Sequence, residues 1–149
     1  MVRRVLAAAV TLIFMGSPLA LAVPTPGPTP EQRLVGGVNR VRERREIPSV
    51  GTHLVLSSRA ERHVRDMISS GELFHSDLER TCRDLRDPYV CGEVVGVGDR
   101  AHSLIRALMD SPPHRQILLD PRYDRVGAGA IRDEEGRLWM ALVFVGSPR

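Results

Sequence analysis

The sequence has 149 residues, which suits one domain, and its 21 basic and 18 acidic side chains give a formal net charge of +3. Every basic residue is an arginine. A hydrophobic share of 42% and a charged share of 26% are typical of a globular protein, and exclude a disordered or collagen-like chain. Two cysteines exclude a disulfide-dense scaffold and a four-cysteine zinc module.

The first 22 residues have the pattern of a secretory signal peptide. Arg3 and Arg4 form a basic start, residues 5–15 carry no charge but are too few to span a bilayer, and Ala20-Leu21-Ala22 suits signal peptidase. Cleavage is predicted before Val23, and an uncleaved anchor is the alternative. Loss of two arginines leaves 19 basic against 18 acidic side chains, a charge of +1. We therefore expect a secreted, extracellular or periplasmic protein without a membrane span and without a nucleic-acid partner, which would need a dense positive surface.

Residues 23–30 alternate proline with other residues, which predicts a stiff, extended linker before a folded domain at 31–149. Thr29 and Gln32 form a capping box at the start of a first helix, and Pro48 limits its end. Its apolar side chains have helical spacing: Leu34, Val35, Val38 and Val41. Four arginines of the same segment are expected on a solvated helix face: Arg40, Arg42, Arg44 and Arg45.

Two further helices are predicted. The second begins at Ser57 or Ser58, where Ser58 and Glu61 form a capping box, and Gly71 ends it. The third follows Asp99 and ends at Ser111-Pro112-Pro113. Each has an apolar stripe, which consists of Ala60, Val64, Met67 and Ile68 in the second helix and of Ala101, Leu104, Ile105 and Leu108 in the third.

The C-terminal part predicts a β-hairpin. Residues 125–131 and 138–145 are apolar on both faces, and Asp133 to Gly136 form the turn between them. A strand that is apolar on both faces needs cover on both sides. The sequence therefore predicts an α/β fold, an α-β-α sandwich with a central, mostly antiparallel sheet flanked by helices.

Two of the five histidines and one glutamate lie at the ends of predicted elements, where a shared cleft can form. His75 follows the second helix, Glu93 precedes the third, and His114 comes just after the third. His63 and His102 lie on predicted helices, and are expected to face solvent or to be satisfied in the core.

Six short motifs follow one another in a characteristic order over about residues 32–146. They read Val38-Asn39-x-x-Arg42, Ala60-x-x-x-Val64-x-Asp66-Met67, Phe74-His75-Ser76, Gly92-Glu93, Met109-Asp110-Ser111-Pro112-x-His114-Arg115-x-Ile117-Leu118 and Val126-Gly127-x-Gly129. This set resembles the CAP superfamily (cysteine-rich secretory proteins, antigen 5 and pathogenesis-related proteins), in its compact bacterial SCP-like form. The fold that this resemblance implies is an α-β-α sandwich, in agreement with the periodicity.

The resemblance also implies a cleft of two histidines and two acids, which binds a divalent metal such as zinc in some members. His75, Glu93 and His114 match three of these positions, and Ser111 stands where the second acid would be. Two histidines and one carboxylate can ligate zinc, or can form a metal-free hydrogen-bonded network. Arg115 lies beside His114 as a cleft-side anchor.

The activities that the resemblance implies are varied, so no catalytic residue is assigned and enzymatic activity stays open. The main hypothesis is a monomeric, secreted protein whose cleft of His75, Glu93, Ser111, His114 and Arg115 binds a small-molecule, lipid or envelope ligand. One alternative is an extracellular hydrolase that uses the same cleft, with a serine activated by a histidine. The other is a non-catalytic lipid-binding or cell-envelope module.

The two cysteines, Cys82 and Cys91, are predicted to form a disulfide, because export favours oxidation. It would fix the loop between His75 and Glu93, which includes a turn at Asp87-Pro88. Free or metal-binding thiols are the alternative.

Overall fold

The computed structural model describes residues 26–83, 85 and 90–147. The predicted signal peptide, the first residues of the linker and the turn at Asp87-Pro88 lie outside the described residues. The described part contains five helices, α1 (Pro30–Glu43), α2 (Leu54–Ser70), α3 (Leu78–Arg83), α4 (Ala101–Asp110) and α5 (Pro112–Leu119), and four strands, β1 (Gly51–Thr52), β2 (Val90–Gly98), β3 (Arg125–Arg132) and β4 (Leu138–Gly146).

The four strands form one sheet in the order β1-β3-β4-β2. The short strand β1 pairs with β3 in parallel, and the two pairs that involve β4 are antiparallel. Helix α2 packs on one face of the sheet, and α1, α4 and α5 pack on the other. The predicted α-β-α sandwich with a mostly antiparallel sheet is therefore confirmed.

Every residue of β4 is buried, which confirms that the strand is covered on both faces. Side chains of alternating residues enter two separate cores. Met140, Leu142 and Phe144 face α1, α4 and α5, whereas Trp139, Ala141, Val143 and Val145 face α2. The turn between β3 and β4 ends at Gly136, whose positive φ of 78° suits glycine.

Helix α1 begins with the predicted capping box. Thr29 Oγ1 accepts from the Gln32 N–H at 3.3 Å, and Gln32 Oε1 accepts from the Thr29 N–H at 2.8 Å. The expected solvated arginine face is wrong for Arg42, whose exposed fraction is 0%. Arg42 lies four residues after buried Val38, so helical spacing places it against the core.

The predicted start of α2 is wrong by about one turn. The helix begins at Leu54, and His53 is its N-cap, because its Nδ1 accepts from the Leu56 N–H at 3.3 Å. Ser58 is already inside the helix and donates its hydroxyl to the Leu54 carbonyl oxygen at 3.2 Å. The end is as predicted, since Gly71 has the left-handed φ of 73°.

Three elements that position the site were not predicted from the sequence: α3, β2 and α5. The approach to the third helix is β2, an edge strand paired with β4 over its whole length. The two prolines that end α4 also begin α5, because proline is tolerated in the first turn of a helix. Among the described residues, none of the helices combines the length and apolar character that a membrane crossing requires.

Candidate functional site

The centre of the candidate site is Glu93, a buried carboxylate on the edge strand β2. Its neighbour Val94 packs in the core with α1, α4 and α5, whereas Cys91 and Val95 pack against the core of α2. Because side chains alternate along a strand, Glu93 points to the α2 side of the sheet. Only 3% of the residue is exposed.

One oxygen of Glu93 holds the segment that follows α2. Oε2 lies 2.9 Å from His75 Nδ1 and accepts the Ser76 backbone N–H at 2.9 Å. An ionised carboxylate can only accept hydrogen bonds, so the contact with His75 places the ring proton on Nδ1. The lone pair of the neutral ring is then on Nε2, and 60% of the His75 side chain is exposed. The arrangement presents an oriented imidazole nitrogen to solvent.

Two polar atoms beside this contact are buried without a hydrogen-bond partner in the described part of the chain. They are Oε1 of Glu93 and Oγ of Ser76. A buried carboxylate oxygen without a donor is costly, and a bound group that donates a hydrogen bond would relieve the cost. The pair of atoms therefore indicates a place for a ligand.

A cavity of about 530 Å³ adjoins His75 and Ser76. Its lining is mostly polar and includes Arg62, Asp66 and Arg80. Phe74 contributes an exposed aromatic ring at one side, and Leu73, the preceding residue, is also exposed. The cavity can therefore take a polar ligand that also has an apolar part.

His63 supports this segment from α2. Its Nε2 lies 2.8 Å from the Phe74 carbonyl oxygen, and its ring meets the Phe74 ring edge-on at 5.0 Å. The residue is 7% exposed. His63 therefore has a structural role, as expected, while His102 is exposed on α4.

The second predicted histidine lies in a different layer. His114 is in the first turn of α5, whose Ile117 and Leu118 pack in the core on the face opposite α2. Its Nδ1 contacts Ser111 Oγ at 2.8 Å. Arg115 is exposed and donates from Nη1 to the Met109 carbonyl oxygen at 3.0 Å.

Hydrogen-bond contacts therefore join His75 to Glu93, and Ser111 to His114, while the shared cleft of all five residues stays a prediction. Across residues 26–83, 85 and 90–147, no three His, Cys, Asp or Glu side chains are grouped closely enough to hold a metal ion. Zinc binding by His75, Glu93 and His114 stays a prediction.

Comparison with known proteins gives the family. A model of the cysteine-rich secretory protein family, CAP, matches residues 35–146, which is most of the chain. The chain belongs to the CAP family. Among curated proteins, none matches this sequence closely enough to count as a relative.

Solved structures show the same fold at low sequence identity. An outer surface protein from Borrelia burgdorferi has a TM-score of 0.70 and 13% identity, over 77% of this chain and 90% of that one. An extracellular SCP-domain protein from Bacillus anthracis has a TM-score of 0.68 and 19% identity, over 78% of this chain and 40% of that one. A cysteine-rich secretory protein from Staphylococcus aureus has a TM-score of 0.64 and 22% identity, over 76% of this chain and 37% of that one. The CAP domain described here thus spans less than half of the latter two.

The predicted disulfide of the CAP domain is confirmed. Cys82 and Cys91 are bonded, with their Cα atoms 6.5 Å apart. The bond joins α3 to the start of β2, two residues before Glu93. It therefore anchors the strand that carries the buried carboxylate.

Sequence reasoning missed one residue that organises the CAP fold around α5. The guanidinium of Arg42 donates to the carbonyl oxygens of Pro48, Leu118, Asp120 and Tyr123, at 2.8 to 3.0 Å. Burial lowers the pKa of Arg42, and the nearby Asp120 carboxylate opposes this change. The four-residue spacing from Val38 was the signal that could have identified Arg42 as buried.

Proposed function

We propose that this CAP-domain protein is exported and acts as a binding module, with its ligand held at the pair of His75 and Glu93. The family, the disulfide and the extracellular or outer-surface descriptions of similar solved proteins support export. The function is recognition rather than catalysis, because the pair offers an oriented acceptor nitrogen and a buried carboxylate but no activated nucleophile.

The observation that carries this proposal is the unpartnered Oε1 of buried Glu93. Its companion Oε2 already accepts two hydrogen bonds, so the carboxylate is fixed in place. A ligand that donates one hydrogen bond to Oε1 and another to His75 Nε2 would satisfy both atoms. The exposed ring of Phe74 provides an apolar surface for the rest of that ligand.

A divalent metal such as zinc is compatible with part of this site. A histidine whose Nδ1–H donates to a carboxylate is the arrangement that orients many metal-binding imidazoles. Here His75 would be the metal ligand, and Glu93 would orient it. The predicted third ligand, His114, contacts Ser111 through its Nδ1, and the proposal does not depend on a metal.

The test compares three forms of the exported protein, the unaltered chain, His75→Ala and His102→Ala. Each is purified from the culture medium of the source organism and examined by native mass spectrometry for a co-purifying molecule, then titrated with zinc chloride by calorimetry. We expect the unaltered chain and the His102→Ala control to carry the same added mass and His75→Ala to lose it. Equal occupancy in all three forms, or none in any, would contradict the proposal. Zinc binding that depends on His75 would identify metal as a component.

A second candidate function, hydrolysis, is favoured by the contact between Ser111 and His114. A serine hydroxyl 2.8 Å from an imidazole nitrogen has the distance of a nucleophile and its general base. The test is labelling with a fluorophosphonate probe. Hydrolysis requires label on Ser111 that His114→Ala abolishes and Ser76→Ala leaves unchanged.

A further inference from the structure

We propose that the CAP domain has a second binding site, a cationic groove between α1 and α4 that binds a linear phosphate polyanion. Two cavities of about 340 Å³ and 240 Å³ lie side by side along these helices. Both are lined by Arg40 and His102, so they adjoin each other. We call the two cavities together the α1–α4 groove.

The lining of the α1–α4 groove is strongly basic. It includes His102 and seven arginines but no aspartate or glutamate. The charge is unexpected in a chain whose net charge is only +3. Basic side chains are therefore concentrated on this surface rather than evenly mixed with acids.

The arginines of the groove are not used to stabilise the fold by ion pairs. None of them forms a salt bridge with a carboxylate in the part of the chain that the structure describes, whereas Arg65, Arg83 and Arg137 elsewhere do. Four of them are exposed and have no side-chain hydrogen bond to another described residue, namely Arg40, Arg44, Arg100 and Arg106. Their guanidinium groups are free to form forked contacts with phosphate oxygens.

The groove exists because α1 and α4 approach each other closely at Gly37. A Cβ at this position would lie 2.9 Å from Ile105 Cγ1, so a larger residue would separate the helices. Buried side chains of Val41 and Ile105, with exposed fractions of 6% and 5%, form the floor. Arginines on or next to the two helices, together with Arg132 of β3, line its sides.

These features favour a soluble phosphate chain over a bilayer or a nucleic acid. The large hydrophobic side chains exposed in the described residues are Leu54, Val55, Leu73 and Phe74, and none of them lines the groove. The apolar side chains that do line the groove lie at its floor, and no exposed large one projects from it to insert into a membrane. The groove also lacks Phe, Tyr and Trp, so it offers no platform for stacked bases. Adjacent basic cavities suit successive phosphate groups of one chain.

The test measures the binding of inorganic polyphosphate to the mature protein at several salt concentrations. The test variant is Arg40→Gln/Arg106→Gln, and the matched control is Arg65→Gln/Arg83→Gln, which removes the same charge from ion-paired positions. We expect the unaltered protein to bind polyphosphate with an affinity that falls as salt rises. The groove variant should bind at least about tenfold more weakly, and the control should remain within about twofold.

Three results would overturn the proposal: no binding of polyphosphate at low salt, equal weakening by both double variants, or binding to phosphatidylglycerol vesicles with none to polyphosphate. Thermal melting of each variant checks the fold, and the altered side chains are exposed. His75→Ala should bind polyphosphate as the unaltered protein does, because His75 lies on the α2 side of the sheet. The proposal for the α1–α4 groove can therefore be tested independently of the proposed ligand site at His75.

Discussion

His75 Nδ1 and Glu93 Oε2 lie 2.9 Å apart across 18 residues of sequence, and this contact joins the segment after α2 to the edge strand β2. The buried member of the pair is the carboxylate, and the exposed member is the imidazole. The carboxylate is held in place by the Ser76 N–H as well. The carboxylate of Glu93 is therefore fixed in position, and it orients the ring of His75.

The first prediction concerns the tautomer of His75. In the unaltered protein, nitrogen NMR of the neutral ring should show the proton on Nδ1, because Glu93 Oε2 accepts it. In Glu93→Ala, no acceptor remains for the Nδ1 proton, and the signals should shift toward the tautomer with the proton on Nε2. His102, exposed on α4, is the internal control and should not change. Identical His75 signals in the two proteins would show that Glu93 does not orient this ring.

The second prediction concerns the disulfide between Cys82 and Cys91. The ten-residue loop that it closes should stabilise the fold by roughly 2.5 kcal/mol through the entropy of the unfolded chain. Cys82→Ala/Cys91→Ala should lower the free energy of unfolding in urea by that amount. Hydrogen exchange should also rise at Glu93, which follows Cys91 by two residues on β2. If hydrogen exchange at Glu93 does not change, the disulfide stabilises the fold as a whole and does not hold β2 locally.

The sequence allowed the layers to be predicted but not the way in which they assemble the site. Apolar side chains recur at regular spacing in α1, α4, β3 and β4, because each element buries a continuous stripe, and this spacing made the elements predictable. Strand β2 was missed because Gly92, Gly96 and Gly98 interrupt its apolar pattern. At Gly92 the small size is needed, since a Cβ there would overlap the Tyr123 hydroxyl. Such a contact arises from tertiary packing, which local periodicity does not encode.

The position of His114 could not be predicted for the same reason. Chain order placed His75 and Glu93 at neighbouring element ends, and the structure joins them. The position of His114 depends on the layer that α5 enters, and this is decided by the burial of Leu118 and Ile117 against distant strands. The segment that forms α5 begins with two prolines, and nothing in its local sequence indicates on which face of the sheet it packs.

The third prediction concerns the contact between β3 and α2. A Cβ on Gly129 would lie 2.4 Å from the backbone carbon of Ala60, so the helix must move away to admit it. Gly129→Ala should lower the free energy of unfolding by about 1–3 kcal/mol or more, because an overpacked core cannot relax fully. Gly36→Ala, on α1, is the control and should be neutral or slightly stabilising, because the nearest atom to the added Cβ would be Arg40 Nη1 at 3.4 Å. Equal stability of the two variants would contradict the close packing.

The fourth prediction concerns the buried guanidinium of Arg42. Arg42→Ala removes the donors of four backbone carbonyl oxygens, among them those of Leu118 and Tyr123. We expect a loss of about 3–5 kcal/mol in the free energy of unfolding, since hydrogen bonds from a charged donor contribute more than neutral ones. Arg42→Lys should recover only part of the lost stability, because one ammonium group cannot donate to all four carbonyl oxygens as the planar guanidinium does. Full recovery by lysine in urea unfolding would show that charge alone is needed.

The fifth prediction concerns pH and the turn between β3 and β4. Asp133 Oδ2 accepts from Trp139 Nε1 at 2.6 Å and from Arg137 Nε at 2.7 Å. Desolvation acts to raise the pKa of Asp133, but the hydrogen bonds from Trp139 and Arg137 outweigh it and lower the pKa from 3.8 to about 2. The ionised carboxylate is therefore favoured in the folded protein.

The sign of the pH effect follows from that difference. Above pH 3.8 the carboxylate is ionised in both the folded and the unfolded chain, and its full contribution to stability is present. As the pH falls from 3.8 to about 2, the unfolded chain takes up the proton first, and the contribution is lost. Asp133→Asn should therefore melt at a lower temperature than the unaltered protein at neutral pH, and the gap in melting temperature should narrow through this range. Glu134→Gln, in the same turn but without a hydrogen bond from Trp139, is the control and should show no such narrowing. A gap for Asp133→Asn that stays constant down to pH 2 would mean that the ionised carboxylate is not what stabilises the turn.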